Sequence, residues 1–406
     1  MEYIIILLLL YEGIISSIFD FSYIDEIVTV FLIICSVIKI TKEKKIILTK
    51  NEIRILIGIV FLYIIGAISS YIFRVQDNLF ISLFSGFLSV KALISYICFR
   101  ILFVNSKFKY NNMLIKIVEV VLYGVATLGF IDRIIPIYPR YAPRFGIYVT
   151  TLCFKTPTLL ASFAICSLLV CYFLYNDNSN RKKVHLYLDI LAALFLVVIA
   201  GRVKAIGFMI LFLLVVFKEK LFKTKKQVKL INFIIPMIVV ICFASGYIES
   251  YFFNSTQSRA IMIRTAFKIA IDYFPLGSGF GTFGTDISRE YYSPLYGDYR
   301  ISNVWGLSKR YNAFVADSMF PAIIGETGFI GLIIYILIFY NLFRNFSKNI
   351  TDRKKRVFLF LILFYVLIEC VAETMLMTSR GVFLFCFMAF SVNYCLNNRL
   401  KQSVKK

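Results

Sequence analysis

Apolar residues run along this chain in long blocks separated by short polar links, and the blocks recur from the first residues to the last. A block of about 18 to 20 apolar residues, wound as a helix at roughly 1.5 Å per residue, covers a hydrocarbon core of about 30 Å. The pattern predicts helices at 3–19, 24–40, 55–73, 80–102, 113–131, 151–175, 186–200, 205–217, 230–248, 317–343, 357–373 and 381–397. Gly201-Arg202 interrupts one longer apolar run, which reads equally as two short helices or as one broken helix. Two segments depart from the short links: DRIIPIYPRYAPRFGIYVT at 132–150, and the stretch 249–316. Connections between packed helices rarely exceed about 8 residues, and long loops held on a rigid scaffold are a usual place for binding and catalytic groups. The expected fold is therefore an all-α polytopic membrane protein, one transmembrane domain over 1–406, with about twelve helices and one large outer loop containing short helices.

Composition supports lipid as the solvent. Of 406 residues, 60% are hydrophobic and 17% charged, against a soluble norm of about half and about a quarter. The net charge of +22 would suggest nucleic acid in a soluble protein. Here the placement of the charge argues against it. The links 41–54, 103–112, 176–185, 218–229 and 344–356 and the tail from 398 hold 26 Lys and Arg, whereas 20–23, 74–79 and 374–380 hold only Arg74 and Arg380. That asymmetry is the positive-inside pattern. It assigns both termini to the cytoplasm and 132–150 and 249–316 to the outside, with no nucleic-acid partner expected. The start, MEYIIILLLLYEG, lacks a basic n-region and a small-residue cleavage site, and reads as a retained helix. Nine cysteines without CxxC spacing read as small hydrophobes, and His185 is the single histidine. Neither a His-based metal site nor a Ser-His-Asp triad is expected, and no cofactor is called for.

Chemistry must use other groups. In the long outer segment, TQSRAIMIRTAFKIAIDYF predicts a helix capped by Ser255 or Thr256 and stopped at Pro275. Arg264, Lys268 and Asp272, at i, i+4 and i+8, form one polar stripe; a Lys268–Asp272 pair there would contribute on the order of a few tenths of a kcal/mol. The helix runs into PLGSGFGTFG, where Gly277, Gly279, Gly281 and Gly284 would let backbone N–H groups approach a phosphate, or simply make a flexible turn. The shorter segment adds Arg133, Arg140 and Arg144, stiffened by Pro136, Pro139 and Pro143. Arginine suits phosphate because its planar fork pairs with two oxygens and stays charged. Arg202 joins them as an arginine at the outer end of an apolar run. Tyr291 and Tyr292, in REYYSPLYGDYR, with Trp305 and Tyr311, offer faces for sugar rings or marks of a membrane interface.

Taken in order, GRVKAIGFMILFLL, then Arg264 followed by PLGSGFGTFG, then DSMFPAIIGETGFIGLIIYI make residues 195–345 resemble the bacterial O-antigen polymerase and O-antigen ligase superfamily. Ligases of that superfamily usually have His-Asn where this chain has Asp317-Ser318, nine residues ahead of a glutamate that matches Glu326. The resemblance therefore favours the polymerase branch, where paired Arg-rich outer loops have been described. Arg133 to Gly146 and Arg264 to Gly277 share the spacing Arg-x12-Gly. What the resemblance implies is glycosyl transfer at the outer face of the inner membrane, between repeat units carried on undecaprenyl pyrophosphate in membrane lipid. A chain-length regulator and a flippase would be its partners. Arg202 and Arg264 would neutralise the departing pyrophosphate, with Arg133, Arg140 and Arg144 in support. Asp317 would accept the proton of the attacking hydroxyl, or cap its helix. Lys268, Gly277, Gly279, Tyr291, Tyr292 and Trp305 complete the expected substrate contacts. Two alternatives remain: a ligase transferring glycan to lipid A-core, and a transporter of the same lipid. Lys91, Glu119, Lys155 and Glu369, ionisable groups in apolar runs, would suit the transporter, although no internal repeat is visible.

Overall fold

The computed structural model describes residues 1–44, 47–105, 112–177, 182–221 and 256–404, together with 246, 249 and 254. The chain begins with α1 (Glu2–Leu10) and α2 (Glu12–Phe19), then α3 (Ile24–Glu43), α4 (Lys50–Phe73), α5 (Leu79–Phe103) and α6 (Asn112–Ile134). A hairpin of β1 (Arg140–Arg144) and β2 (Ile147–Thr150) precedes α7 (Pro157–Asp177), α8 (Lys183–Ala200) and α9 (Val203–Leu221). After α10 (Ser258–Asp272) come the short α11 (Asp286–Glu290) and α12 (Leu295–Asp298). The last helices are α13 (Met319–Asn349), α14 (Arg353–Val371) and α15 (Ser379–Val404), the last two joined through a 3-10 turn at Met375–Met377.

This is an all-α membrane protein. Among the described residues, seven helices are long and apolar enough to cross a bilayer, α4 to α8, α13 and α15, and the pair α1–α2, bent by 60°, makes an eighth if it is one span. Helix α3, with Asp25, Glu26, Lys39, Lys42 and Glu43, and α14, opening on Arg353 to Arg356, carry more charge than that test allows. Val203–Val216 of α9 is a shorter apolar helix. The span expected at 230–248 lies outside the described residues. The run at 186–217 resolves as two helices, because Gly201 takes a left-handed conformation and ends α8. The expected helix at 151–175 starts only at Pro157, where its missing N–H costs nothing. The segment before it, expected as loop, pairs instead as an antiparallel hairpin with a bulge at Tyr141/Pro143.

Local chemistry sets several ends. Thr49 and Glu52 form a reciprocal capping box on α4, and Asn78 and Asp352 cap α5 and α14 through backbone N–H groups. Helix α13 packs chiefly on α4 and α10, while α5 packs on α3, α4 and α15, and α7 on α8. Glu52 also accepts from Arg100 Nε at 2.6 Å, Tyr96 Oη at 3.1 Å and Asn345 Nδ2 at 3.2 Å, a buried knot joining α4, α5 and α13. Removing one partner of such a buried pair costs about 3 to 5 kcal/mol, because the other charge is left uncompensated. Lys91 is likewise paired with Asp25 and Glu26, and Lys155 with Asp20.

The glycine-rich segment after α10 enters this bundle. Phe280 is fully buried in a notch between Gly66 of α4 and Gly86 of α5, where any Cβ would overlap its ring. Gly277 and Gly328, both at positive φ, let two backbones cross, since a Cβ on Gly277 would stand 2.5 Å from Gly328 N.

Candidate functional site

The end of the bundle that carries the hairpin, the α8–α9 break, α10 and the α14–α15 turn gathers charged side chains into one cluster. Gly201 stops α8 and turns the chain, so Arg202 and Lys204 enter beside the hairpin, whose Arg144 donates from Nη1 to Gly201 O at 3.3 Å. Lys204 is 2.6 Å from Glu369 Oε2 and 3.1 Å from Glu373 Oε2. Glu373 also accepts from Arg380 Nη2 at 2.5 Å, and Arg380 reaches Ser162 Oγ at 2.9 Å. Arg259, at the start of α10, holds Asp317 Oδ2 at 3.0 Å just ahead of α13. Arg202 feels Arg144, Glu373, Asp317 and Glu369, and Asp317 feels Arg259, Glu373 and Lys204, so these groups form one electrostatic unit.

Five cations, Arg144, Arg202, Lys204, Arg259 and Arg380, face three carboxylates, Asp317, Glu369 and Glu373, an excess of two positive charges. Four of the cations are engaged by protein. Arg202 differs: its guanidinium makes no hydrogen bond and no ion pair with any described residue, and its Nε is buried. Burial, then Arg144, pushes Arg202 below the ordinary guanidinium value, against the pull of Glu373, Asp317 and Glu369. Burial raises the Asp317 carboxyl, with Glu373 adding to the rise and Arg259 opposing it. Burial would raise Glu373 too, but Arg380 and Lys204 more than offset it and hold that carboxyl well below the usual range. Burial and charge pairing that split neighbouring carboxyls in this way are a mark of chemical sites as well as of structural ion networks. A small, mostly apolar crevice shares Ser162 and Arg380 with this cluster and is otherwise lined by Leu10, Phe154, Phe163 and Phe383.

The expected residues fall into three groups. Arg202, Asp317 and Arg144 are brought together. Arg264 is not with them: it is exposed, without an ion pair to any described residue, and lies five positions beyond Arg259, about 140° further round the helix. Lys268 is exposed and does not pair with Asp272, which accepts instead from Tyr299 Oη at 2.6 Å. Arg133 and Arg140 brace the hairpin, donating to Tyr148 O at 2.7 Å and Asp132 O at 2.8 Å. Of the caps expected for α10, Ser255 lies outside the described residues, and Gln257 rather than Thr256 takes the cap position, without a side-chain bond.

Gly277 and Gly279 do not offer a phosphate cradle, because their stretch has spent its N–H groups on protein. Ser278 N and Gly279 N donate to Gly325 O and Glu326 O, and Phe280 N donates to Ser70 Oγ. Thr282 N, Phe283 N and Thr285 Oγ1 all donate to Glu326 Oε1, at 3.0, 3.2 and 3.0 Å. Glu326 is thus the buried post on which this loop is wound. Tyr291 is exposed, Tyr292 donates to Leu307 O at 2.8 Å, and Trp305 stands 74% exposed.

Sequence reasoning passed over Arg259, Lys204, Glu373 and Arg380 as site members and weighed Glu369 only as a transporter's residue. A signal for Arg259 existed: it stands at i, i+3 and i+7 with Met262 and Ala266, on the face that α10 buries. Neither protein-family models nor the sequences of characterised proteins give a match to this chain.

Proposed function

We propose that this chain is a membrane glycosyltransferase, a surface-polysaccharide polymerase that joins repeat units carried on undecaprenyl pyrophosphate. On this reading about twelve helices cross the inner membrane, both termini are cytoplasmic, and the charged cluster opens to the outer face. The observation that carries it is the cluster's excess, among the described residues, of two positive charges around Arg202, whose guanidinium makes no hydrogen bond or ion pair with any of them. A diphosphate supplies the complementary charge and paired oxygens.

The acceptor sugar's hydroxyl oxygen attacks the anomeric carbon of the donor glycan. The bond from that carbon to the diphosphate oxygen breaks, the diphosphate leaves with the electron pair, and the hydroxyl proton passes to Asp317. Arg202, with Arg144 and Arg259 beside it, stabilises the charge that grows on the leaving group, which is where fixed cations lower a barrier most. A carboxyl raised by burial is the better proton acceptor.

The test is polymerisation by the purified chain in nanodiscs, supplied with lipid-linked repeat unit. A charge-assisted contact contributes about 1.5 to 3 kcal/mol, so Arg202→Gln should lose on the order of 10- to 150-fold in rate. Arg264→Ala, an exposed change, should keep at least half. A normal ladder from Arg202→Gln removes the clamp. In cells, loss of the gene should leave single repeat units on the final acceptor; normal lipid-linked polymer that is never attached indicates the ligase instead.

A further inference from the structure

We propose that Trp305 and Tyr311 form a separate sugar-binding platform that holds a pyranose ring of the glycan, away from the diphosphate cluster. The two rings stand 4.6 Å apart between centroids, tilted by 41°, and both are exposed, at 74% and 41%. Their loop is built rather than slack. Ser258 Oγ donates to Trp305 O at 2.7 Å, Tyr292 Oη to Leu307 O at 2.8 Å, and Asn312 Nδ2 to Arg289 O at 3.1 Å. Phe314 N closes the loop on Gly306 O at 2.9 Å, and its ring meets Tyr311 edge-on. An indole left bare on a loop whose backbone is held this firmly, with the Tyr311 ring beside it, is a ready stacking surface.

Its surroundings choose the occupant. In 303–313 the only large apolar side chains left exposed are Trp305 and Tyr311, and the other exposed or half-exposed groups include Asn303, Ser308, Lys309, Arg310 and Asn312. A lipid-dipping segment looks different, as the hairpin region demonstrates by exposing Ile134, Ile135, Ile137, Phe145 and Ile147. An aromatic face rimmed by amides, a hydroxyl and cations matches a sugar, whose C–H face stacks while its hydroxyls find donors and acceptors. The platform is also continuous with the site, because Ser258, which holds Trp305, adjoins Arg259, which holds Asp317.

This inference rests on the glycan reading above for its ligand class, and its test is independent of turnover. Trp305 is the only tryptophan in the chain, so intrinsic fluorescence of the full protein in nanodiscs reports this position alone. The probe is the water-soluble oligosaccharide released by mild acid from the source cell's own surface polysaccharide. Titration should shift Trp305 emission saturably; Tyr311→Ala should weaken the apparent Kd by about fivefold, and Arg264→Ala, exposed and outside the cluster, should leave it unchanged. Emission unmoved by the oligosaccharide, or quenched by bromine-labelled lipid in the same discs, overturns the platform. If the platform fails while Arg202→Gln still slows polymerisation by about 10-fold or more, the diphosphate site stands. If the oligosaccharide binds and Arg202→Gln polymerises normally, the platform stands and the clamp falls.

Discussion

Substituting Gly66 by alanine adds one methyl group where Phe280 enters the bundle. A Cβ there would overlap three ring carbons, the farthest of them at 2.7 Å, against an ordinary carbon contact of about 3.5 to 4.0 Å. The ring cannot slide aside, because Gly86 closes the opposite wall and a Cβ on it would meet Phe280 Cδ2 at 2.5 Å. Phe280 must therefore move by about 1 Å or leave its notch. Overpacking costs about 1 to 3 kcal/mol, and loss of a buried phenylalanine about 3 to 5. In a chain of 406 residues, at about 2.1 cal/mol/K of unfolding entropy per residue, that amounts to a fall in Tm of roughly 1 to 6 °C. The assay is thermal unfolding in detergent of Gly66→Ala beside Gly124→Ala, a second helical glycine with no neighbour within 4 Å of an added Cβ. The control should melt at or slightly above the wild-type temperature, since alanine favours a helix by about 0.5 to 1 kcal/mol. Combining Gly66→Ala with Phe280→Leu should recover part of the loss. Equal melting of the two glycine variants would refute the reasoning.

Two further outcomes follow from the charged cluster. Arg259→Gln removes the group that opposes the rise in Asp317. The carboxylate form is lost as pH falls through its pKa, so the acid limb of the rate–pH profile should move to higher pH; a limb that stays in place would detach Asp317 from proton transfer. Glu373 is held low by Arg380 and Lys204, so its contribution to stability is present above the unfolded carboxylate value of about 4.3 and lost as pH falls below it. Its side chain is 25% exposed, and Glu373→Gln should lower stability by about 2 to 3 kcal/mol near neutral pH. That difference should shrink in acid, as measured by Tm across a pH series.

Sequence periodicity reached the helices because burial in lipid is written one block at a time, and Gly201-Arg202 was visible as a break. It reached Arg202, Arg144 and Asp317 because each is a polar residue where the pattern calls for an exit. The choice between Arg264 and Arg259 turned on which face of α10 meets α13, and the polar stripe through Lys268 and Asp272 drew attention to the solvent side. The glycine loop reads identically whether its backbone approaches a phosphate or another backbone, and here the other backbone is Gly325 and Glu326. Glu373 and Arg380, seven residues apart, meet only because the 3-10 turn at Met375–Met377 folds the link back on itself.

Helices α4, α5 and α13 are tied twice, by the Glu52–Arg100 knot and, further along, by Phe280 and the loop wound on Glu326. Two ties on three rods fix their splay, so this trio acts as a stator. Helices α6, α8 and α9 pack on α7 and α14 instead, and α8 carries strand β2. If the chain polymerises lipid-linked glycan as proposed, the sliding that admits a long lipid and releases a longer product would fall to that half of the bundle, and Arg144 and Arg202 would travel with it.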